Sequence, residues 1–512
     1  MERKWWTLIA VCVATLMLLI DVTIVNVALP DIQASLGASL SSLQWVIDAY
    51  ALTLASFLLV AGSLGDRIGR KRVFAFGFAL FTFASLLCGL APNATLLNLA
   101  RGVQGIGAAA MFATTLALIA QEFEGRERAT AFGIWGATIG GAVAVGPLIG
   151  GVLTEGLGWE WIFFVNIPIG IGALILTQIK LVNEKGGDAQ PIDRGGLVTF
   201  SASLFCLIFA LIRGNAEGWG SLPIVATLVA AVLLMAAFVA IEARVPHAML
   251  DLSLFRKPAF TGVSIVAFAL SAGMFSMFLY LTLYLQGVLG YSPLEAGLRF
   301  LPSTLLSFIV APIAGRFSDR VPARATMGAG LLLVGLGLIL MNGLQVGGDW
   351  TALLPGFIAT GIGVGLVNPG IASTAVAVVS AARAGMASGI NSTFRQVGIA
   401  TGTAGLGAIF QTRIDSELTQ LVPQAPDSFH EAVAAGAGQA AISQAPPAIQ
   451  AQLQQAAEQA FVTGLNEILL VAAAIAIAGG LLGLVLVRKR DFVAQRAPQQ
   501  ADPNTGGAPA PA

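Results

Sequence analysis

Charge is scarce in this chain. Across 512 residues, Lys, Arg, Asp and Glu together make up 11%, against 56% hydrophobic residues and a mean hydropathy of +0.83. A soluble protein of this length carries about a quarter charged residues, so a water-soluble globular chain is excluded. Histidine is nearly absent: His247 and His430 are the two, both outside the apolar runs. No histidine-based catalytic or metal cluster is therefore expected in the membrane. No lysine follows a glycine, so the phosphate loop GxxxxGK[S/T] does not occur and ATP hydrolysis by this polypeptide is excluded. Cys12, Cys88 and Cys206 all lie in apolar runs, where they read as small packing residues rather than a disulfide framework. No nucleophile–base pair presents itself, so an enzyme is not expected, and neither is a cofactor.

What the chain has in abundance is uncharged length. Stretches such as 73–100, 129–154, 218–241, 258–294 and 468–487 carry no Asp, Glu, Lys or Arg. Roughly 20 helical residues cross a hydrocarbon core of about 30 Å. These runs are apolar on all sides rather than alternating, which selects helices over barrel strands. The expected fold is an all-α polytopic membrane protein with fourteen spans. They are placed at 5–29, 44–64, 73–91, 96–120, 129–153, 161–181 and 196–213, then 221–241, 259–283, 294–315, 325–345, 350–372, 386–410 and 463–487. The first span follows Arg3 and Lys4 as a signal peptide would, but it lacks a small-residue cleavage site and continues into "DVTIVNVALP", so it reads as a retained helix ending near Pro30-Asp31.

Placing both termini in the cytoplasm puts most of the 27 basic residues on that side. Arg213 and Arg413 then fall outside, while Arg101, Arg299 and Arg395 lie within spans. The segment 411–462 is Ala- and Gln-rich and reads as an extracytoplasmic capping hairpin broken at Pro446-Pro447. The Pro/Gly/Ala-rich tail 491–512 is expected to be disordered in the cytoplasm.

One short gap concentrates the missing charge. In "GSLGDRIGRKRV", Asp66, Arg67, Arg70, Lys71 and Arg72 sit between two uncharged runs. Topology accounts for the basic residues but not for Asp66, Gly62 or Gly69. The glycines permit a sharp turn and close approach. Asp66 at a helix end can accept from a neighbouring helix N-terminus or an arginine. The spacing therefore predicts a switchable latch between two halves. Its echo, Gly315-x-x-x-Asp319-Arg320, follows the tenth span. Two six-helix repeats with two helices inserted between them explain that register. The expected units are 1–182, then 183–258 with the two extra helices, then 259–490, and such repeats around a central site are transporter architecture.

Four stretches carry a resemblance. "GSLGDRIGRKR" resembles the loop 2–3 signature of the major facilitator superfamily. "LLIDVTIVNVALPDI" (18–32), "RGVQGIGAA" (101–109) and "GPLIGG" (146–151) resemble the helix 1, helix 4 and helix 5 signatures of its fourteen-helix drug:proton antiporter branch. The chain departs from that branch at "WEWIFFVNIPIG", where Glu160 stands in place of an arginine. The resemblance implies the major facilitator fold and export of lipophilic drugs or dyes in exchange for protons. It also implies that Gly146, Pro147, Gly150 and Gly151 form a kinked element that seals a leak path in exporters.

Coupling to a proton gradient needs a titratable group inside the bundle, where burial brings a carboxyl's protonation into a usable range. Asp21, Asp48 and Arg101 are expected to converge on one wet cavity in the outer half, with Arg101 pairing with and releasing a carboxylate. Glu295, Arg299 and Arg395 are further candidates, with Glu295 and Arg299 also able to form a simple intrahelical pair. Acids among Phe, Met and Leu suit an amphipathic cation as cargo. The expected partners are small lipophilic solutes, protons and the bilayer of the cell membrane, with no nucleic acid. A periplasmic adaptor is admissible and a monomer is expected. Export of a single endogenous metabolite or lipid, and a scaffold or sensor that does not transport, remain the alternatives.

Overall fold

A computed structural model describes residues 2–37, 40–182, 193–245, 248–317, 320–488 and 491–492. All regular elements among them are helical. The first half comprises α1 (Arg3–Leu36), α2 (Leu40–Ile68), α3 (Arg70–Gly89), α4 (Ala94–Glu122) and α5 (Gly125–Leu157), then the short α6 (Trp161–Phe164) leading into α7 (Asn166–Lys180). Two further helices follow, α8 (Arg194–Glu217) and α9 (Leu222–Glu242). The second half opens with α10 (Pro258–Leu270) and α11 (Ser276–Leu283), joined and followed by π-helical turns at Ser271–Phe275 and Tyr284–Val288. It continues through α12 (Pro293–Arg316), α13 (Ala323–Leu340), α14 (Leu354–Ala377) and α15 (Ala384–Leu421). Two short helices, α16 (Asp427–Ala434) and α17 (Gly438–Ser443), precede the last, α18 (Pro447–Leu486).

Local chemistry sets the ends of these helices. Asn93 caps α4 by accepting from the Leu96 amide at 2.9 Å, and Asp193 caps α8 by accepting from the Gly196 amide at 2.8 Å. The α2–α3 turn pivots on Gly69, whose φ of 105° is a conformation that side chains rarely adopt. Helix α1 runs through Pro30 without the expected break and ends at Gly37, in the left-handed region with φ 58°.

Twelve of the described helical segments are long and apolar enough to cross a membrane. The runs expected at 129–153 and 386–410 lie in α5 and α15, which are not among those twelve. Asn391, Ser392, Arg395 and Gln396 dilute the hydropathy of α15, yet the first three are all buried. The expected hairpin at 411–462 is also redrawn. Helix α15 continues to Leu421, and α18 starts at Pro447 and runs unbroken into the last span, so the two arms are extensions of α15 and α18. Residues 493–512, the bulk of the expected tail, lie outside the described residues.

The helices form two bundles. In the first, α1 packs on α5, and α2 and α3 pack on α4; in the second, α13 packs on α14 and α18, and α12 on α14. Separate apolar cores fill each bundle. Helices α8 and α9 pair with each other, and α8 leans on α2 and α15. Two seams join the bundles, α2 with α15 and α5 with α12. At the first, a Cβ on Gly62 would stand 2.3 Å from the Gly385 carbonyl oxygen; at the second, a Cβ on Gly315 would stand 2.4 Å from the Ala129 carbonyl oxygen. The two copies of the repeated motif therefore begin at equivalent backbone-to-backbone crossings.

Candidate functional site: a buried charge cluster in the first bundle

Asp21 of α1 is wholly buried, and so is Arg101 of α4 apart from 1% of its surface. Arg101 donates from Nη1 to Asp21 Oδ2 at 2.5 Å and to Gln104 Oε1 at 2.7 Å, and from Nε to the Val46 carbonyl at 2.8 Å. Its guanidinium lies 4.4 Å from the centre of the Tyr50 ring, whose negative face adds to the attraction. The other carboxylate oxygen, Oδ1, accepts from Gln104 Nε2 at 2.9 Å and from Asn166 Nδ2 at 3.3 Å. Both amides also donate to Ser85 Oγ, at 2.7 Å and 3.2 Å. Four helices thus meet on one carboxylate and one guanidinium, and a fifth, α3, holds the surrounding amides through Ser85. Each charge would be very costly alone at this depth, and pairing together with neutral donors is what makes the burial tolerable.

The pair ties α1 to α4 inside the first bundle, and the amides of Gln104 and Asn166 fix the carboxylate from the other side.

Asp48 does not join it. Asp48 faces α8, where Arg213 is the cation that acts on it. Arg213 itself donates to Glu217 at 2.9 Å and to Gln44 at 3.3 Å. The helical register of α2 turns Val46 and Tyr50 toward Arg101 and sends Asp48 to another side, so the expected three-residue convergence reduces to Asp21 and Arg101.

Glu295 is also reassigned. It is exposed in the first turn of α12, where its Oε2 accepts from the Ser292 amide at 2.9 Å while Ser292 Oγ accepts from the Glu295 amide at 3.3 Å. This is a capping box. Arg299 donates to the Glu295 backbone carbonyl at 2.8 Å rather than to its carboxylate, and lies against Tyr291, 3.3 Å from the ring centre. Replacing Glu295 by Ala is expected to lower the melting temperature slightly and leave transport unchanged, measured side by side in one preparation.

The latch geometry is present in the first copy of the motif. Asp66 accepts from the Gly385 amide (Oδ1, 2.9 Å) and the Met386 amide (Oδ2, 2.7 Å), which are free donors at the start of α15. Arg70 donates to Asp66 Oδ1 from Nε at 3.1 Å and from Nη2 at 2.9 Å, and also reaches the Ala381 carbonyl. Arg67 donates to the Ala248 carbonyl at 3.3 Å, tying the loop after α9 to the same place, and Lys71 donates to the Gln178 carbonyl at 2.8 Å. Arg383, just before α15, pairs with Asp251. The Ser253 hydroxyl, followed by its amide and by Arg383, holds the Asp251 carboxyl below the usual carboxylate range. In the second copy Asp319 lies outside the described residues, and Arg320 rests near the Phe317 ring.

Of the helix 5 element, Gly146 is the packing residue: a Cβ there would fall 1.8 Å from Thr23 Oγ1 of α1. Gly151 faces open space, so close approach is not its purpose, and Gly150 is buried. The side chain of Pro147 lies outside the described residues.

Arg395 of α15 is buried in the second bundle, away from Asp21. It donates to Asn368 Oδ1 at 3.0 Å and to Asn391 Oδ1 at 3.4 Å. The residues that reading the sequence missed are neutral: Ser85, Asn166 and Tyr50 around the acid, and Asn368 and Asn391 around Arg395. The available signal was an isolated amide in an apolar run, as in "FFVNIPIG" and "GLVNPGIA".

Comparison with known proteins places the chain. The Major Facilitator Superfamily profile matches residues 11–403. The multidrug resistance protein Stp of Mycobacterium tuberculosis is 37% identical over 431 residues, covering 84% of this chain and 80% of that protein. The tetracenomycin C resistance and export protein of Streptomyces glaucescens is 33% identical over 512 residues, covering 97% of this chain and 94% of that one. Among solved structures, the human organic anion transporter MFSD10 matches with a TM-score of 0.62 at 13% identity, covering 94% of this chain and all of that one, a likeness of fold. A profile match over most of the length and relatives above 30% identity along nearly all of it lead to one conclusion: this chain belongs to the Major Facilitator Superfamily.

Proposed function

We propose that this protein is a proton-coupled exporter of lipophilic small molecules in the cell membrane, working by alternating access between its two bundles. The observation that carries the reading is the buried Asp21–Arg101 pair, a tie that a proton can break where no water competes. Resistance and export proteins among its relatives support it. In this reading α5 and α15 also span, giving fourteen crossings with both termini in the cytoplasm, and 1–182 and 259–490 are the moving halves. Asp66 is the latch that holds α2 to α15 when the cytoplasmic side is closed. The transporter acts as a monomer.

The test is exchange in proteoliposomes holding the purified protein. With the lumen made acidic, a cationic lipophilic dye such as ethidium is expected to accumulate inside while protons leave. A protonophore is expected to abolish the accumulation. Uptake of the same size with no gradient imposed ends the proposal, and so does a gradient that drives uptake of neither ethidium nor a lipophilic carboxylate. The second outcome favours a membrane scaffold or sensor instead.

A further inference from the structure

The second bundle holds a charge that the coupling scheme does not use. Arg395, Asn368 and Asn391 are 6%, 1% and 2% exposed. Among the described residues the side-chain partners of Arg395 are the neutral oxygens of Asn368 and Asn391, with no carboxylate among them. Each asparagine turns its oxygen to the guanidinium, which leaves its nitrogen pointing elsewhere. Both nitrogens, Asn368 Nδ2 and Asn391 Nδ2, are buried without an acceptor. The cluster therefore offers a fixed positive charge and two unused N–H₂ groups, with its acceptors already taken. Buried donors of this kind are costly to leave unsatisfied.

The position is central. A Cβ on Gly136 of α5, in the opposite bundle, would stand 3.3 Å from the Asn368 Cβ, so the cluster lies where the two halves meet. One helical turn away on α14, Val364 lines a small crevice between the bundles, with Ile139 of α5 on one wall and Phe275, Phe278 and Ser307 on the other. Ser307 Oγ is buried there and also lacks a partner. Phe275 ends the π-turn Ser271–Phe275 and packs against the cores of both bundles. π-turns inside α-helices commonly mark functional positions.

We infer that Arg395, Asn368 and Asn391 form a cargo subsite for an acidic group, a carboxylate or an ionised phenol, with the aromatic body of the same molecule lying toward Phe275 and Phe278, whose crevice of about 20 Å³ must widen as the bundles part to admit it. A guanidinium matches a planar carboxylate through paired N–H donors, and the two amides supply the rest. The preference is opposite to the cationic cargo expected from the acidic residues, because Asp21 is already bound by Arg101 and by two neutral donors, Gln104 and Asn166. The inference rests on the exporter reading, but its test needs no gradient and separates the two.

Binding is measured on the purified protein in lipid nanodiscs at pH 8, by quenching of its tryptophans. The probes are anthracene-9-carboxylate and its uncharged methyl ester. The wild-type chain is expected to bind the acid at least about tenfold tighter than the ester, by the worth of one charge-assisted bond. Arg395→Gln is expected to abolish that ratio while leaving ester affinity unchanged, and Arg395→Lys to keep part of it. Asn368→Asp, which supplies an internal counter-charge and spares the arginine, is expected to abolish it as well. Equal affinity for acid and ester in the wild type overturns the subsite without need of any variant. So does a ratio that survives in Arg395→Gln or Asn368→Asp. Failure of gradient-driven uptake of both ethidium and anthracene-9-carboxylate with an intact acid preference sinks the exporter and leaves the subsite standing.

Discussion

Asp21→Asn is expected to abolish proton-driven exchange, cutting initial rates by at least about a hundredfold. Asparagine keeps an oxygen for Arg101 and Gln104 but cannot cycle between a charge and a neutral acid. It also strands the guanidinium in the first bundle, and breaking a buried ion pair on one side costs about 3–5 kcal/mol. Loss of transport could then reflect loss of structure, and the double variant Asp21→Asn/Arg101→Gln separates the two. Removing both charges is expected to recover most of the thermal stability lost by the single variant while transport stays absent. Exchange that persists in either variant, read as proton efflux coupled to ethidium uptake, removes Asp21 from the mechanism.

Gly62→Val carries the next largest effect. A Cβ there meets the Gly385 carbonyl oxygen at 2.3 Å, its carbonyl carbon at 3.0 Å and the Gly389 Cα at 3.2 Å. All three are backbone atoms, which cannot swing aside as a flexible side chain can. The α2–α15 seam must part, and Asp66 loses its hold on the Gly385 and Met386 amides. The variant is expected to rest with that seam open. A cysteine placed at Ser388, buried in α15, should then react with a membrane-impermeant maleimide from the α2–α3 loop side, and transport should fall more than about tenfold. Asp66→Ala, which removes the latch and keeps the crossing, is expected to slow turnover with cargo affinity intact. Unchanged labelling in Gly62→Val means that the seam is not a resting contact.

The architecture was legible because apolar length is a one-dimensional signal. Ten or more uncharged stretches and a repeated Gly-x-x-x-Asp-Arg motif leave few alternatives to paired helical bundles. Asp21 and Arg101 stood out for the same reason, as charges inside apolar runs. What could not be read was the rotation of each helix about its axis. Asp48 lies two residues from Val46 and from Tyr50, and those two positions turn it from the Arg101 face to the α8 face. Glu295 has the same charge as Asp21 and a similar distance from apolar neighbours, yet Ser292 three residues earlier makes it a cap. That spacing was visible in the sequence, where Glu295 read instead as a coupling candidate or an intrahelical partner of Arg299. Asn166, Asn368 and Asn391 carry no charge, so hydropathy alone gave no reason to choose them from among the other amides. The run expected at 386–410 lies within the helix α15, but Arg395 and the buried polar side chains around it hold its hydropathy below that of its neighbours.

Both crossings between the bundles are made from main-chain atoms, with glycine as the residue that admits them. Main-chain shape is indifferent to which side chains line the path between the halves. Substitutions along that path can therefore retune what the protein recognises without disturbing how it moves, so a single chassis can acquire new solutes while its hinge stays constant.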